Sequence, residues 1–140
     1  MMEQPEKSPL GLPLNTKMSK KILLVDDSVT SRLASRMLFA EQKNYEVISA
    51  CDGREAVEAA HKERPDLILM DIEMPRMSGL EACKILKQDE ATKKIPIILL
   101  TTRRGNSFVQ EGYANGCSDF LTKPVNEAKL IAVLKAHLGE

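Results

Sequence analysis

The chain has 140 residues, of which 43% are hydrophobic, and its 20 acidic and 20 basic residues cancel. This length suits one compact domain. The charge balance does not support electrostatic binding of nucleic acid or of an anionic membrane, and no apolar run approaches the roughly 20 residues of a membrane span. The three cysteines have no CxxC spacing, which is typical of bystander thiols in a reducing compartment, so we expect a cytoplasmic protein.

The first 19 residues are expected to form a flexible tail before a single domain at residues 20–140. The segment is polar, contains three prolines and lacks the long apolar core of a signal peptide. Met18 lies just before the first strand-like run and is a candidate for the natural start, a hypothesis that an N-terminal mass would test. The remaining length leaves no room for an output domain, so we expect a stand-alone domain.

Strand-like and helix-like segments alternate from Lys20 onward. The runs at 22–25 and 67–70 are continuously apolar, as in strands that are buried on both faces of a parallel sheet. The run at 97–100 is the predicted fourth strand. The run at 45–50 alternates polar and apolar residues, which favours an edge strand, and 119–122 is a short fifth strand. Five strand–helix units with short connections predict an α/β, doubly wound parallel sheet with right-handed crossovers.

The first helix is predicted to begin after an N-cap at Ser28 and to carry Val29, Leu33 and Met37 on one face. Met37, Met70, Met74 and Met77 are expected to serve packing. The second helix carries Ala56, Val57 and Ala60, and the third is predicted to turn Leu80, Cys83 and Leu86 inward. The last helix carries apolar residues and one histidine at i, i+3, i+4 and i+7, namely Leu130, Val133, Leu134 and His137.

The fourth helix is predicted to be the least stable of the five. Gly105, Gly112 and Gly116 lie in or beside it, and each internal glycine costs about 1 kcal/mol relative to alanine. Gly139 is predicted to end the last helix. Neither His61 nor His137 has an acidic or cysteine partner nearby in sequence, so we expect surface or partly packed histidines.

Three carboxylates follow buried strands. Asp26 and Asp27 follow the first strand, at 22–25, and Asp71 follows the third strand, at 67–70. The carboxyl ends of parallel strands meet at one edge of the sheet, so these groups should gather there. Crowded carboxylates repel one another, and hard divalent cations such as Mg²⁺ bind clusters of this kind. The alternative is that Asp26 and Asp27 only cap the first helix.

A hydroxyl and an ammonium group complete this edge. Thr101 follows the fourth strand, and Lys123, followed by Pro124, comes after the fifth. A nucleophilic carboxylate, a metal site, a hydroxyl and a cation are the parts that an aspartyl-phosphate site needs.

In these motifs the chain resembles the response-regulator receiver domain, the CheY-like family of two-component signalling. The resemblance covers nearly all of 20–138 and depends on the four segments 25–28, 70–75, 100–101 and 119–124, in order and at the spacing of the family. It implies a flavodoxin-like (βα)5 fold with strand order 2-1-3-4-5.

The resemblance also implies a role for each site residue. Asp71 would carry the phosphoryl group, Lys123 would pair with one phosphoryl oxygen, and Thr101 would move to bond another. Phe120 would then turn into the space that Thr101 leaves, and the bond before Pro124 would be cis. The implied Mg²⁺ ligands are Asp27 and Asp71 directly, Asp26 through water, and Glu73 through its backbone carbonyl.

The partners implied are a sensor histidine kinase or histidine phosphotransfer protein and a downstream protein target. The residues Val29, Arg32, Leu33 and Arg36 of the first helix would dock the kinase, and the fourth helix, fifth strand and fifth helix would form the output surface. The protein would be a monomer or a phosphorylation-dependent dimer. It would act as a signalling receiver that catalyses only its own phosphorylation and dephosphorylation. Chemotaxis, a phosphorelay and control of a separate effector remain open.

Three other functions are alternatives to that of a phosphorylated receiver. A Mg²⁺-dependent phosphohydrolase of the haloacid dehalogenase type would use Asp-x-Asp, whereas Glu73 follows Asp71 at that spacing. A flavin-binding flavodoxin would need a phosphate-binding loop after the first strand. A receiver that signals without phosphate would not need the complete site. We further expect Thr102 to narrow access to Asp71, and an ion pair of Glu73 with Arg103 to govern the rate of dephosphorylation.

Overall fold

A computed structural model describes residues 19–40, 42, 44–102 and 106–139. The strands are β1 (Lys20–Val25), β2 (Tyr45–Ala50), β3 (Leu67–Asp71), β4 (Ile97–Thr101) and β5 (Asp119–Thr122). The helices are α1 (Val29–Ala40), α2 (Gly53–Glu63), α3 (Gly79–Gln88), α4 (Asn106–Ala114) and α5 (Glu127–Leu138). The predicted tail, Met18, Arg103 and Gly105 lie outside these residues, with only Ser19 of the tail described.

The strands form one sheet in the order β2-β1-β3-β4-β5, and every neighbouring pair is parallel. This confirms the predicted flavodoxin-like, doubly wound architecture. The two runs predicted to be buried on both faces, residues 22–25 of β1 and 67–70 of β3, are buried in the structure. β4 is buried along its whole length as well, whereas β2 is a mixed edge strand. The register pairs Val25 with Met70 and Thr101 with Thr122, which brings the carboxyl ends of these strands to one level.

Two apolar clusters lie on opposite faces of the sheet because successive strand residues point to opposite sides. Leu23 and Val25 belong to a cluster that includes buried residues of α2 and α3, among them Leu86. Ile22 and Leu24 belong to the other cluster, which takes in residues of α1 and α5. Each fully buried aliphatic side chain contributes about 1.5–3 kcal/mol to folding. The buried residues of α2, α3 and α5 therefore stabilise the packing of these helices against the sheet.

Local hydrogen bonds set the ends of several helices. Ser28 Oγ accepts from Ser31 N at 3.2 Å, and Gly139 ends α5 in a left-handed conformation with φ 76, which confirms both predicted caps. Asp52 and Asn126 cap α2 and α5, and Ser78 caps α3 in a reciprocal capping box.

The prediction that Met37 packs into the protein is wrong. Val29, Leu33 and Met37 do share one face of α1, but their exposed fractions are 60, 57 and 70%. The buried residues of α1 are Ser35 and Phe39, because the helix turns that side toward the sheet. Of these three residues only Met37 is predicted to pack, whereas Val29 and Leu33 belong to the expected docking surface.

The three cysteines are free, and Cys83 and Cys117 are buried, as expected of bystander thiols. Burial raises the pKa of Cys83 to about 11 and that of Cys117 to about 12. Both thiols therefore stay protonated at neutral pH, and the thiolate is the reactive form. Within the described ranges, no helix combines the length and apolar character that a membrane crossing requires.

Candidate active site

The three predicted carboxylates converge at the carboxyl edge of the sheet. Asp26 follows β1 directly, Asp27 is next to it, and Asp71 ends β3. One carboxylate oxygen from each lies within 4.8 Å of the others. Asp26 is fully buried and Asp71 is 9% exposed, whereas Asp27 is open to solvent. The cluster therefore has two buried members and one accessible member.

Part of the helix-capping alternative also holds, since Asp26 Oδ1 accepts a hydrogen bond from Ser28 N at 2.9 Å. That contact occupies one oxygen of Asp26. The other oxygen, Oδ2, turns into the acidic cluster, where it accepts from Lys123. Capping and membership of the cluster are therefore compatible.

Lys123 bridges the two buried carboxylates. Its Nζ atom lies 2.8 Å from Asp26 Oδ2 and 3.1 Å from Asp71 Oδ2. The backbone of Lys123 is held at the end of β4, because Lys123 N donates to Thr101 O at 2.9 Å. The bond between Lys123 and Pro124 is cis, as expected. One ammonium group beside three carboxylates leaves this edge with an excess of negative charge, which favours a cation ligand.

The protonation equilibria reflect this setting. Burial raises the pKa of Asp71, while hydrogen bonds from Lys123 and from the Glu73 backbone oppose that rise. Burial by itself would lower the pKa of Lys123, but its hydrogen bonds to Asp26 and Asp71 outweigh burial and raise it. Lys123 is therefore a stable cation at neutral pH.

The predicted switch residues share one face of the sheet. Thr101 is buried at the end of β4 and lies two residues beyond Leu99, which pairs with Phe120 in the register of β4 and β5. The half-buried Phe120 ring packs edge-on against Tyr113 of α4, with 5.3 Å between ring centroids. It also lies against the backbone of Gly112. The aromatic ring therefore sits between the site and α4.

A groove of about 410 Å³ opens beside Lys123, between α1 and the segment after β5. Thr102, which we expected to narrow access to Asp71, is exposed and lines this groove together with Ser31 and Pro124. The expected pairing of Glu73 with Arg103 involves a residue outside the described part of the chain, so it stays a prediction.

Sequence reasoning missed several tertiary contacts between side chains of opposite charge type, of which three concern the loop after β3 and the two histidines. Arg76 pairs with the buried Asp52, His61 with Asp89 at 2.7 Å, and His137 with Asp119 at 3.1 Å. Both histidines are surface or half-buried groups, as expected, but each has a carboxylate partner brought from another element. The sequence holds no local signal for the first pair, because Asp52 and Arg76 are 24 residues apart.

A parallel doubly wound sheet whose carboxyl edge carries three carboxylates and a bridging lysine defines the receiver class of α/β signalling domains. Sequence comparison agrees with this class. The sequence model for the response regulator receiver domain matches residues 22–135, and the chain belongs to this family. It is therefore a response regulator receiver domain of two-component signalling. Membership favours this function over the phosphohydrolase and the flavin-binding protein.

Named relatives support the assignment. The chain is 42% identical over 120 residues to the response regulator PleD of Caulobacter vibrioides; the match covers 85% of the chain but only 26% of PleD, so the chain spans about a quarter of that relative. It is 36% identical to the polar-differentiation response regulator DivK of Brucella anthropi, over 88% of the chain and 99% of DivK.

A solved structure is similar in fold. It is the receiver domain of the sensor histidine kinase PA1611 from Pseudomonas aeruginosa, which is 30% identical and has a TM-score of 0.80. The match covers 87% of this chain and 99% of that one, and that receiver holds a magnesium ion coordinated in its active site cleft.

Proposed function

We propose that Asp71 accepts a phosphoryl group from a phosphohistidine donor in a Mg²⁺-dependent reaction, and that this modification controls the binding of a protein partner. The observation that carries the proposal is the contact of Lys123 with Asp71 and Asp26, at 3.1 and 2.8 Å, inside a cluster of three carboxylates. The donor would be a sensor histidine kinase or a histidine phosphotransfer protein.

The donor set fits Mg²⁺. It consists of oxygen ligands alone, which hard cations prefer, and it includes few carboxylates, as Mg²⁺ sites usually do. Asp27 and Asp71 would ligate the ion directly, Asp26 through water, and Glu73 through its backbone carbonyl. Bound there, Mg²⁺ would supply positive charge to the phosphoryl oxygens.

The protein groups divide the remaining work. An oxygen of Asp71 attacks phosphorus as the bond between phosphorus and the donor imidazole breaks, and the imidazole leaves with the bonding electron pair. Lys123 pairs with a phosphoryl oxygen, so that its charge meets the negative charge that the phosphoryl group brings. The buried Thr101 hydroxyl bonds a second oxygen. The domain thus catalyses its own modification and, with water as the attacking group, its reversal.

The Thr101–Phe120 pair would transmit the change. When Thr101 moves toward a phosphoryl oxygen, Phe120 gains the space that Thr101 leaves, and its contact with Tyr113 on α4 breaks or rearranges. The phosphoryl group shifts the balance of the two arrangements because it contacts only one of them. The surface of α4, β5 and α5 is therefore the proposed output surface, and phosphorylation-dependent dimerisation would use the same surface.

The exposed stripe of α1 and the groove beside Lys123 together form the proposed docking surface for the donor. Val29, Leu33 and Met37 are more than half exposed, and solvent-exposed apolar residues that adjoin a site are typical of protein interaction surfaces. A cytoplasmic location and a stand-alone state of the domain stay predictions.

Intact-protein mass spectrometry tests the proposal. The protein is incubated with acetyl phosphate, with Mg²⁺ or with EDTA, and Asp71→Asn is the matched control because it keeps the shape of the side chain. We expect one phosphoryl adduct that requires Mg²⁺ and is absent from the control. An adduct of equal yield in Asp71→Asn, or no adduct from either acetyl phosphate or a phosphorylated histidine kinase, would contradict the assignment of Asp71.

A further inference from the structure

The loop between β3 and α3 is fastened to the start of α2 by an ion pair. Arg76 Nε and one of its terminal nitrogens donate to Asp52 Oδ2 at 2.8 and 2.6 Å. The Asp52 side chain is 3% exposed, whereas that of Arg76 is 64% exposed. Asp52 Oδ1 accepts from Glu55 N at 2.8 Å, so one buried carboxylate both caps α2 and holds the loop.

The backbone of the loop is also held unusually closely. Arg76 has a φ of 67, a left-handed conformation that residues with a side chain rarely adopt. Gly53 N donates to Met77 O at 3.2 Å, and a Cβ on Gly53 would lie 2.6 Å from that oxygen. An unfavourable loop conformation thus coincides with a direct contact to α2, and such conformations persist only where surrounding contacts impose them.

The same loop reaches the acidic cluster at its other end. Glu73 is three residues before Arg76, and its backbone hydrogen bonds to the Asp71 carboxylate. Gly79 N donates to Ile72 O at 2.8 Å, which closes the loop on the β3 side. The main chain at Glu73 is therefore held between Asp71 and the fastening of Arg76 to Asp52.

We propose that the Asp52–Arg76 ion pair is a positioning element for the metal site, which holds the Glu73 backbone against the carboxylate cluster and so sets the affinity for Mg²⁺. This inference rests on the proposed function, because it assigns a regulator to the same site. Groups that orient metal ligands from outside the coordination sphere typically change metal affinity 10–100-fold. The pair acts through a stretch of backbone, so we expect a smaller effect of about 3–10-fold.

The sign of the effect separates positioning from simple electrostatics. Loss of the Arg76 cation near a cluster of carboxylates would by itself tighten the binding of a divalent cation. Loss of positioning would weaken it. Arg76→Gln therefore gives opposite results under the two explanations. Arg76→Lys keeps the charge but not the two-pronged contact with Asp52, so electrostatics predicts no change there and positioning predicts weaker binding.

Calorimetric titration of the full chain with MgCl₂ provides the test. Lys93→Gln is the matched control, because it removes a cation from an exposed pair with Glu90 on the connection at the opposite edge of the sheet. We expect Arg76→Gln and Arg76→Lys to raise the dissociation constant about 3–10-fold and Lys93→Gln to leave it unchanged. Asp52→Asn preserves an N-cap acceptor. Combined with Arg76→Gln, it should change the dissociation constant for Mg²⁺ little beyond the effect of Arg76→Gln alone.

The outcomes are distinguishable. Unchanged or tighter binding in both Arg76 variants, with normal binding by the unsubstituted protein, would overturn this proposal and leave the proposed function standing. No Mg²⁺ binding by the unsubstituted protein would overturn both. A lower melting temperature in the Arg76 variants without a change in the dissociation constant would assign the pair a structural role only, against the proposal.

Discussion

Replacement of Gly112 by alanine tests how firmly the Phe120 ring is held against α4. Gly112 lies inside α4, with its backbone against the Phe120 ring. A Cβ added there would be well inside van der Waals contact with Phe120 Cζ, and 3.1 Å from Leu99 Cδ1. The ring therefore occupies the space that a side chain at position 112 would need.

Two free-energy changes of opposite sign decide the result. Alanine in place of glycine inside a helix stabilises by about 1 kcal/mol, whereas overpacking costs about 1–3 kcal/mol. If the ring moves away from α4 instead, it loses its edge-on contact with Tyr113, which contributes about 0.5–1.5 kcal/mol beyond the area buried. We expect Gly112→Ala to lower the free energy of unfolding by about 0–2 kcal/mol.

The same substitution should have the opposite sign once the ring is gone. In a Phe120→Ala background, Gly112→Ala should raise the free energy of unfolding by about 1 kcal/mol, because only the helix propensity remains. The unsubstituted protein, the two single variants and the double variant form a cycle that urea unfolding can measure. We expect a coupling free energy of about 1–3 kcal/mol between the two positions, with the same slope of unfolding free energy against urea concentration in all four proteins. A gain of about 1 kcal/mol in both backgrounds would refute the reasoning, since the ring would then move at no cost.

Two further predictions concern stability away from the site. Hydrogen bonds to the Val57 carbonyl and to Asp89 raise the pKa of His61 above 6.5, so its contribution to stability is complete below that value and is lost as pH rises through the raised pKa. In urea unfolding, the free energy of unfolding of the unsubstituted protein should exceed that of His61→Gln by less at about pH 8.5 than at about pH 6. An equal or larger difference at the higher pH would argue against the pair of His61 with Asp89. Ser78→Ala, which breaks the reciprocal cap with Glu81, should cost about 1 kcal/mol in thermal unfolding, whereas Ser78→Asp should retain most of it; equal stability of the two variants would count against the cap.

The sequence by itself determined the architecture and the composition of the site. Continuous apolar runs indicated the central strands, because a strand that is buried on both faces needs apolar residues at every position. Alternation of polar and apolar residues indicated that β2 is an edge strand, because only one of its faces is buried. The site residues lie at the carboxyl ends of strands. Their common position at one edge of the sheet, for Asp26, Asp71 and Lys123, could therefore be predicted from where each strand ends. Local chemistry likewise located Ser28 and Gly139, since caps act within a few residues.

Only the tertiary structure decided which face of α1 is buried and which charged groups meet. The spacing of Val29, Leu33 and Met37 fits a helix, but the helix's rotation on the sheet put Phe39 inside and Met37 outside. Arg76 and Asp52 are 24 residues apart, and His61 and Asp89 are 28 apart. Such pairs depend on how separate elements are placed against one another by the packing of the whole core, and no short-range period in a sequence records that placement.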